Sequence, residues 1–251
     1  MVLLGIDIGG SGIKGAPVNV STGELLAERS RITTPSPSTP DAVTEVIRET
    51  IGKFPATSGA LGITFPGVVK NGRVLTAVNM DPLWSEFEAA TFFSAKLGRP
   101  AVVVNDADAA GLAEMRFGAG RGIQGVVVLL TLGTGIGSAL FLDGKLLPNT
   151  EFGHIEIRGK DAESRASARI REEKDLGWPE WGEKVGEVVA HLAKLINPDL
   201  FIIGGGVSRK ADKFLPTVQA MVKVPVVPAQ LQNQAGLIGA ALVAAEGCTP
   251  A

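Results

Sequence analysis

The chain has 251 residues, 45% of them hydrophobic and 20% charged, with a formal net charge of −2; that is enough to bury a large core in one sizeable domain or two small ones. The charge balance gives no pointer to nucleic acid, and no apolar run approaches the roughly 20 residues needed to cross a bilayer. The single cysteine, Cys248, excludes an intrachain disulfide and a cysteine-rich zinc site, and the N-terminus lacks a signal-peptide pattern. The expectation is a cytoplasmic protein that engages neither membrane nor nucleic acid.

Val2 to Ile8 reads as an apolar strand with Asp7 near its end. Gly9-Gly10-Ser11-Gly12 makes a tight turn, Ile13 to Val20 a second strand and Leu25 to Thr34 a third. This strand–glycine turn–strand order differs from the Rossmann and P-loop motifs, which place a helix after the glycines. Backbone amides in such a hairpin can still form a concave nest for phosphate oxygens. Asp7 is placed to hold a magnesium ion over those oxygens, and Lys14 adds positive charge. An ordinary glycine-rich hairpin has the same pattern.

After a proline-rich connector, Pro35 to Pro40, the spacing predicts a helix over 41–54, capped by Thr39 or Asp41. Ala60 to Phe65 reads as a strand, and Asn71-Gly72 between Val69 and Val74 as a hairpin turn. Asn79, Asp81 and Trp84 form a polar and aromatic loop, suited to a sugar pocket or to plain surface, before a helix over 86–97.

Residues 101–104 are a β-branched apolar run, a buried strand, and Asn105 and Asp106 stand where it should end; Ala107 to Met115 reads as a helix. Ligands of open α/β sheets bind beyond the carboxyl ends of strands. A carboxylate there, beside an amide able to fix a hydroxyl, is placed to act as a general base; an aspartate there is equally a common helix cap. A second glycine hairpin follows: a strand over 125–132, a turn Gly133-Thr134-Gly135-Ile136-Gly137, and a strand over 138–142. Its repetition of the first suggests a duplicated fold, with Thr131 and Thr134 offering hydroxyls and the glycines letting a phosphate chain approach the backbone.

Glu151, His154 and Glu156 supply partners for sugar hydroxyls, although His154 alone also fits a metal ligand or a core histidine. Residues 160–174 read as one charged helix whose Lys160, Arg165 and Arg169 border a polyanion groove or simply meet solvent. Trp178 to Ile196 is a long amphipathic helix. Leu200 to Ile203 is a strand leading into Gly204-Gly205-Gly206 and the basic Arg209 and Lys210, an anion site if these open a helix. Residues 224–227 make a short strand, and 235–245 a small-residue helix that packs at close range.

Taken together, six segments resemble the sugar kinases of the ROK family, within the actin-like hexokinase superfamily, and in particular its polyphosphate-using glucokinases. They are Gly5 to Gly15, Thr64 to Val68, Asn105 to Gly111, Leu132 to Ser138, Pro148 to His154 and Pro198 to Asp212, spread over essentially the whole chain. The resemblance implies an α/β fold of two ribonuclease-H-like (actin-like ATPase) domains with mixed sheets and a cleft between them. It divides the chain into a smaller N-terminal domain, 1–105, completed by a helix over 235–247, and a larger domain, 106–234.

Position by position, the resemblance makes Asp106 the catalytic base. It makes Asn105, Glu151, His154 and Glu163 sugar ligands, with Gly67 and Asn79 as further contacts. Asp7, Gly9, Gly10, Ser11, Gly12 and Lys14 match the first phosphate motif, and Thr131, Gly133, Thr134 and Gly135 the second. Gly204, Gly205 and Gly206 match the region that meets adenosine in ATP-using relatives. The implied reaction moves a phosphoryl group from inorganic polyphosphate, or from ATP, to the 6-hydroxyl of glucose with Mg2+, in a homodimer. Candidates for a polyphosphate track are Lys14, Arg121, Lys145, Lys160, Arg165, Arg209 and Lys210.

Three departures from the family pattern matter. No cysteine cluster follows Glu151-Phe152-Gly153-His154, so no zinc is expected; nor is the extra N-terminal DNA-binding segment of the family's repressors expected. Ser11-Gly12-Ile13-Lys14 replaces the Thr-Lys arrangement of common ATP-using members, a variant that points to polyphosphate. A strictly ATP-dependent glucokinase and a non-catalytic sugar sensor on the same fold stay open.

Overall fold

A computed structural model describes residues 1–78 and 80–247; Asn79 and Cys248 lie outside them. The chain divides into two compact units, the first of residues 1–113 with 234–251, the second of 114–233.

In the first unit β1 (Val2–Gly9) and β2 (Gly12–Asn19) form the predicted glycine hairpin. The third predicted strand is two short pieces, β3 (Glu24–Leu25) and β4 (Ser30–Ile32), both paired to β2. Helix α1 (Pro40–Gly52) opens on Thr39, whose hydroxyl accepts the N–H of Ala42, and has proline in its first turn. Strand β5 (Leu61–Phe65) is buried throughout. The hairpin β6 (Val69–Lys70) to β7 (Arg73–Val74) turns at Asn71 and Gly72, whose φ of 53° and 76° are what a primed turn requires. Helix α2 (Ala89–Leu97), strand β8 (Ala101–Asn105) and helix α3 (Asp106–Phe117) follow.

The second unit opens with β9 (Val126–Leu132), β10 (Ile136–Leu142) and β11 (Lys145–Leu147). After a small hairpin, β12 (Glu156–Ile157) to β13 (Lys160–Asp161), come α4 (Glu163–Ala166) and α5 (Ala168–Glu173). The predicted single helix over 160–174 is therefore two, because Ser167 leaves the helical conformation (ψ 156°) and its hydroxyl caps α5 through the N–H of Ile170. Helix α6 (Trp178–Ile196) ends on Asn197 in the left-handed region. Strand β14 (Leu200–Gly204), a 3-10 segment Gly206–Lys213, helix α7 (Leu215–Ala220) and strand β15 (Val226–Pro228) complete the unit. Helix α8 (Ala235–Glu246) returns to the first unit.

The two main sheets share one plan. In the first the order is β3-β2-β1-β5-β8, in the second β11-β10-β9-β14-β15. Each begins as an antiparallel meander and continues with two parallel strands. Each places its glycine turn between the first two strands of the unit. The duplication read from the two hairpins is thus a duplication of sheets.

Helix α8 is apolar on all sides because it is buried within its unit. Cβ atoms at Gly5 and Gly62 would overlap the backbone carbonyls of Leu237 and Ala240, so these glycines let the helix lie directly on β1 and β5. Gly239 makes the same allowance for the backbone of Ala109 on α3, and Val104, Ala109 and Val243 pack together. This packing groups the first two turns of α3, Asp106 included, with the first unit. The sequence reading had divided the chain before Asp106 and made the second part the larger; here the boundary follows Ala113 and the first unit is slightly the longer. Among the described residues no helix is long and apolar enough to cross a membrane.

Candidate active site

At the carboxyl end of β8 the fold separates the roles of two adjacent polar residues. The side-chain oxygen of Asn105 accepts the N–H groups of Ala107 (2.9 Å) and Asp108 (3.0 Å), so Asn105 caps α3. Its amide nitrogen donates to the carbonyl oxygen of Gly67 at 3.0 Å. Asp106, half-buried, is the first helical residue and accepts the N–H of Ala107 at 2.8 Å. Gly67 has its own constraint, since a Cβ there would overlap the carbonyl oxygen of Thr76.

The neighbouring loop differs from expectation. Trp84 is fully buried in the first unit's core, with its indole N–H on the carbonyl of Ser38 at 2.7 Å, and Asp81 caps a 3-10 turn through the N–H of Leu83. Both residues are structural, whereas Asn79 is outside the described residues.

At the first glycine hairpin Asp7 is paired with Lys14 (Nζ to Oδ2, 2.7 Å) and accepts the hydroxyl of Thr64 on its other oxygen (2.9 Å). Lys14 is thus a partner of Asp7, which sequence reading had not foreseen. Register explains it: Asp7 faces Lys14 across the β1–β2 ladder and Thr64 across β1–β5. Gly9 pairs with Gly12 around Gly10 and Ser11, the exposed tip of the turn. Among the described residues no group of three or more His, Cys, Asp or Glu side chains could cage a metal ion. Asp7 is the carboxylate at this turn, but its oxygens already bond Lys14 and Thr64 and its side chain is only 17% exposed; Mg2+, which commonly takes one or two carboxylates and completes its shell with phosphates and water, would compete with Lys14 there.

In the second unit Thr131 is the next-to-last residue of β9, Gly133 to Gly135 form the turn, and the Gly133 N–H donates to the Gly135 carbonyl at 3.0 Å. Gly135 leaves room for the carboxylate of Glu163, which accepts the N–H of Ile136 at 3.3 Å. Gly133 has neither a left-handed φ nor any atom near where a Cβ would lie. The fold itself therefore does not demand glycine there, whereas a closely approaching ligand would. Gly206 is in the same position. Gly205, by contrast, has φ of 85° and packs on the backbone of Leu132. The segment after it is a 3-10 helix kinked at Lys210, not the predicted α-helix. Gly204 ends β14, paired with Thr131.

Glu151, His154 and Glu163 form one electrostatic cluster. Burial raises the Glu151 carboxyl above its ordinary range, with the His154 charge opposing and that of Glu163 adding to it. His154 Nδ1 lies 3.0 Å from Asp161 Oδ2. That hydrogen bond raises the imidazole pKa, partly offset by burial and reinforced by Glu163, Glu151 and the Asp161 charge. Arg165, one candidate for the polyphosphate track, instead bonds Glu187 at 2.7 Å, and Glu187 also bonds Arg158. Arg121, Lys145, Lys160, Arg209 and Lys210 are exposed.

Sequence reading missed Thr64, Asp161 and Glu187. For Thr64 the signal was present, a lone hydroxyl in an apolar strand. Asp161 and Glu187 lie in charged stretches where nothing local distinguishes them.

Two units with one strand order, each bearing a glycine hairpin, define a kinase-like α/β protein of the actin-like ATPase fold. The family model for the ROK family matches residues 3–173 and 167–246. The chain belongs to the ROK family. It is 50% identical over 246 residues to a polyphosphate glucokinase from Mycobacterium tuberculosis, covering 98% of this chain and 92% of that one. The crystal structure of an inorganic polyphosphate/ATP-glucomannokinase from Arthrobacter sp. strain KM superposes with a TM-score of 0.94 at 47% identity, covering 98% and 99% of the two chains. A ROK family glucokinase from Streptomyces griseus, in complex with glucose and AMPPNP, gives 0.86 at 28% identity, covering 98% and 100%.

Proposed function

We propose that this protein is a polyphosphate-dependent glucokinase, transferring the terminal phosphoryl group of inorganic polyphosphate, with ATP as an alternative donor, to the 6-hydroxyl of glucose. The observation that carries the reading is the division of labour at β8: Asn105 fixes the helix start and Asp106 offers a carboxylate there. Half identity with a polyphosphate glucokinase across nearly the whole chain selects the donor and the sugar.

Asp106 takes the proton of the 6-hydroxyl as its oxygen attacks the terminal phosphorus. The bridging P–O bond breaks, and a polyphosphate one unit shorter leaves. Little covalent work falls to the protein, so positioning and charge stabilisation carry most of the rate. Asn105, Gly67, Asn79, Glu151, His154 and Glu163 are the sugar ligands in this reading. The turns at Gly9 to Gly12 and Thr131 to Gly135, with Gly204 to Gly206, hold the donor through backbone amides. Mg2+, when bound at Asp7, offsets charge on the donor oxygens. Zinc has no part, since no cysteine adjoins His154. The enzyme works as a cytoplasmic homodimer, as the family resemblance suggests.

The deciding assay is glucose 6-phosphate formation with Mg2+ and either long-chain polyphosphate or ATP as sole donor. Faster turnover with polyphosphate supports the reading. ATP far ahead makes the protein an ordinary glucokinase, and no product from either donor removes the kinase assignment.

A further inference from the structure

The hairpin β12–β13 holds a carboxylate with no role in the reaction as written. Asp161 is paired with Glu156 across the ladder, and its side chain reaches Nδ1 of His154 at 3.0 Å. Both side chains are about half exposed, at 50% and 52%, so burial does not force them together. The hairpin is itself braced from one side: Arg158, in its turn, bonds Glu187 of α6, which also bonds Arg165 of α4. The same α4 begins with Glu163. One carboxylate of α6 therefore ties together the segments that present Asp161 and Glu163.

We propose that Asp161 is a positioning residue for sugar binding: it fixes the His154 ring through Nδ1 and leaves Nε2 as the atom offered to a sugar hydroxyl. A histidine held at one ring nitrogen by a carboxylate has its tautomer and orientation set, and the other nitrogen is made more basic. The charged groups facing His154 are Asp161 from β13, Glu151 from the segment before the 3-10 turn, and Glu163 from α4; all are acidic and favour imidazolium. In that form Nε2–H donates to the sugar. No sequence motif singles Asp161 out, since the hairpin alone brings it back to His154.

The inference rests on His154 being a sugar ligand, and the tests separate the two. In Asp161→Asn, with polyphosphate saturating, KM for glucose is expected to rise about fivefold or more, the worth of one well-oriented hydrogen bond. KM for polyphosphate stays within about twofold, as for a group remote from the donor. Nitrogen-15 NMR reads the ring directly, because the chain has only two histidines and His191→Gln assigns the other. The His154 titration should move to lower pH in Asp161→Asn, and the loss of glucose affinity with rising pH should move with it. Asp161→Glu should restore part of both. If His154→Ala weakens glucose binding while Asp161→Asn changes neither KM nor the titration, the positioning role is wrong. If His154→Ala leaves KM for glucose unchanged, the sugar-site reading of His154 falls and Asp161 falls with it.

Discussion

The side-chain amide of Asn105 donates to the carbonyl oxygen of Gly67 at 3.0 Å, joining the end of β8 to the loop after β5. The same side chain caps α3 with its oxygen. Asn105→Ala removes both, and loss of such a cap costs about 0.5–2 kcal/mol. A lower urea midpoint with unchanged slope is expected, together with reduced turnover because the start of α3 carries Asp106. An unshifted midpoint would show that the cap is dispensable.

Asp106→Ala should leave the fold in place. Calorimetry should show glucose binding retained, while turnover falls by about a thousandfold or more, the combined worth of a placed base and its charge. Near-normal turnover would assign the proton transfer elsewhere.

Glu163 accepts the N–H of Ile136 beside the second glycine turn. In Glu163→Ala the Michaelis constant for glucose should rise much more than that for the donor. The opposite ranking would move Glu163 from the sugar to the phosphate chain.

Glu151 gives a pH test of sign. Its folded-state pKa is raised, chiefly by burial, so its stabilising contribution is complete below the unfolded value and is lost as pH rises through the folded one. At neutral pH the buried charge is a burden that Glu151→Gln lifts. The melting temperature of Glu151→Gln relative to the parent should therefore be more favourable at pH 7 than at pH 4, while glucose binds less well. A difference independent of pH would mean that the carboxyl is not desolvated.

Much of this was written in local chemistry. Glycine turns between apolar strands, Asn71-Gly72, Thr39 before Pro40, and Asn105-Asp106 at a strand end are short-range signals, because φ preferences and caps act over a few residues. Thr39 and not Asp41 caps α1, and Ser167 breaks a helix that periodicity alone would continue.

The sequence by itself therefore determined the two hairpins, the order of most elements and the candidate base, all governed by backbone conformation and hydrophobic period. Only the tertiary structure decided that the Asn105 side chain caps α3 while bonding Gly67, that Lys14 answers Asp7, that Trp84 is core, and that Asp161 holds His154. Each of these depends on which side chains register across a ladder or meet at the end of a hairpin, and a carboxylate looks the same in sequence whether it faces water or an imidazole.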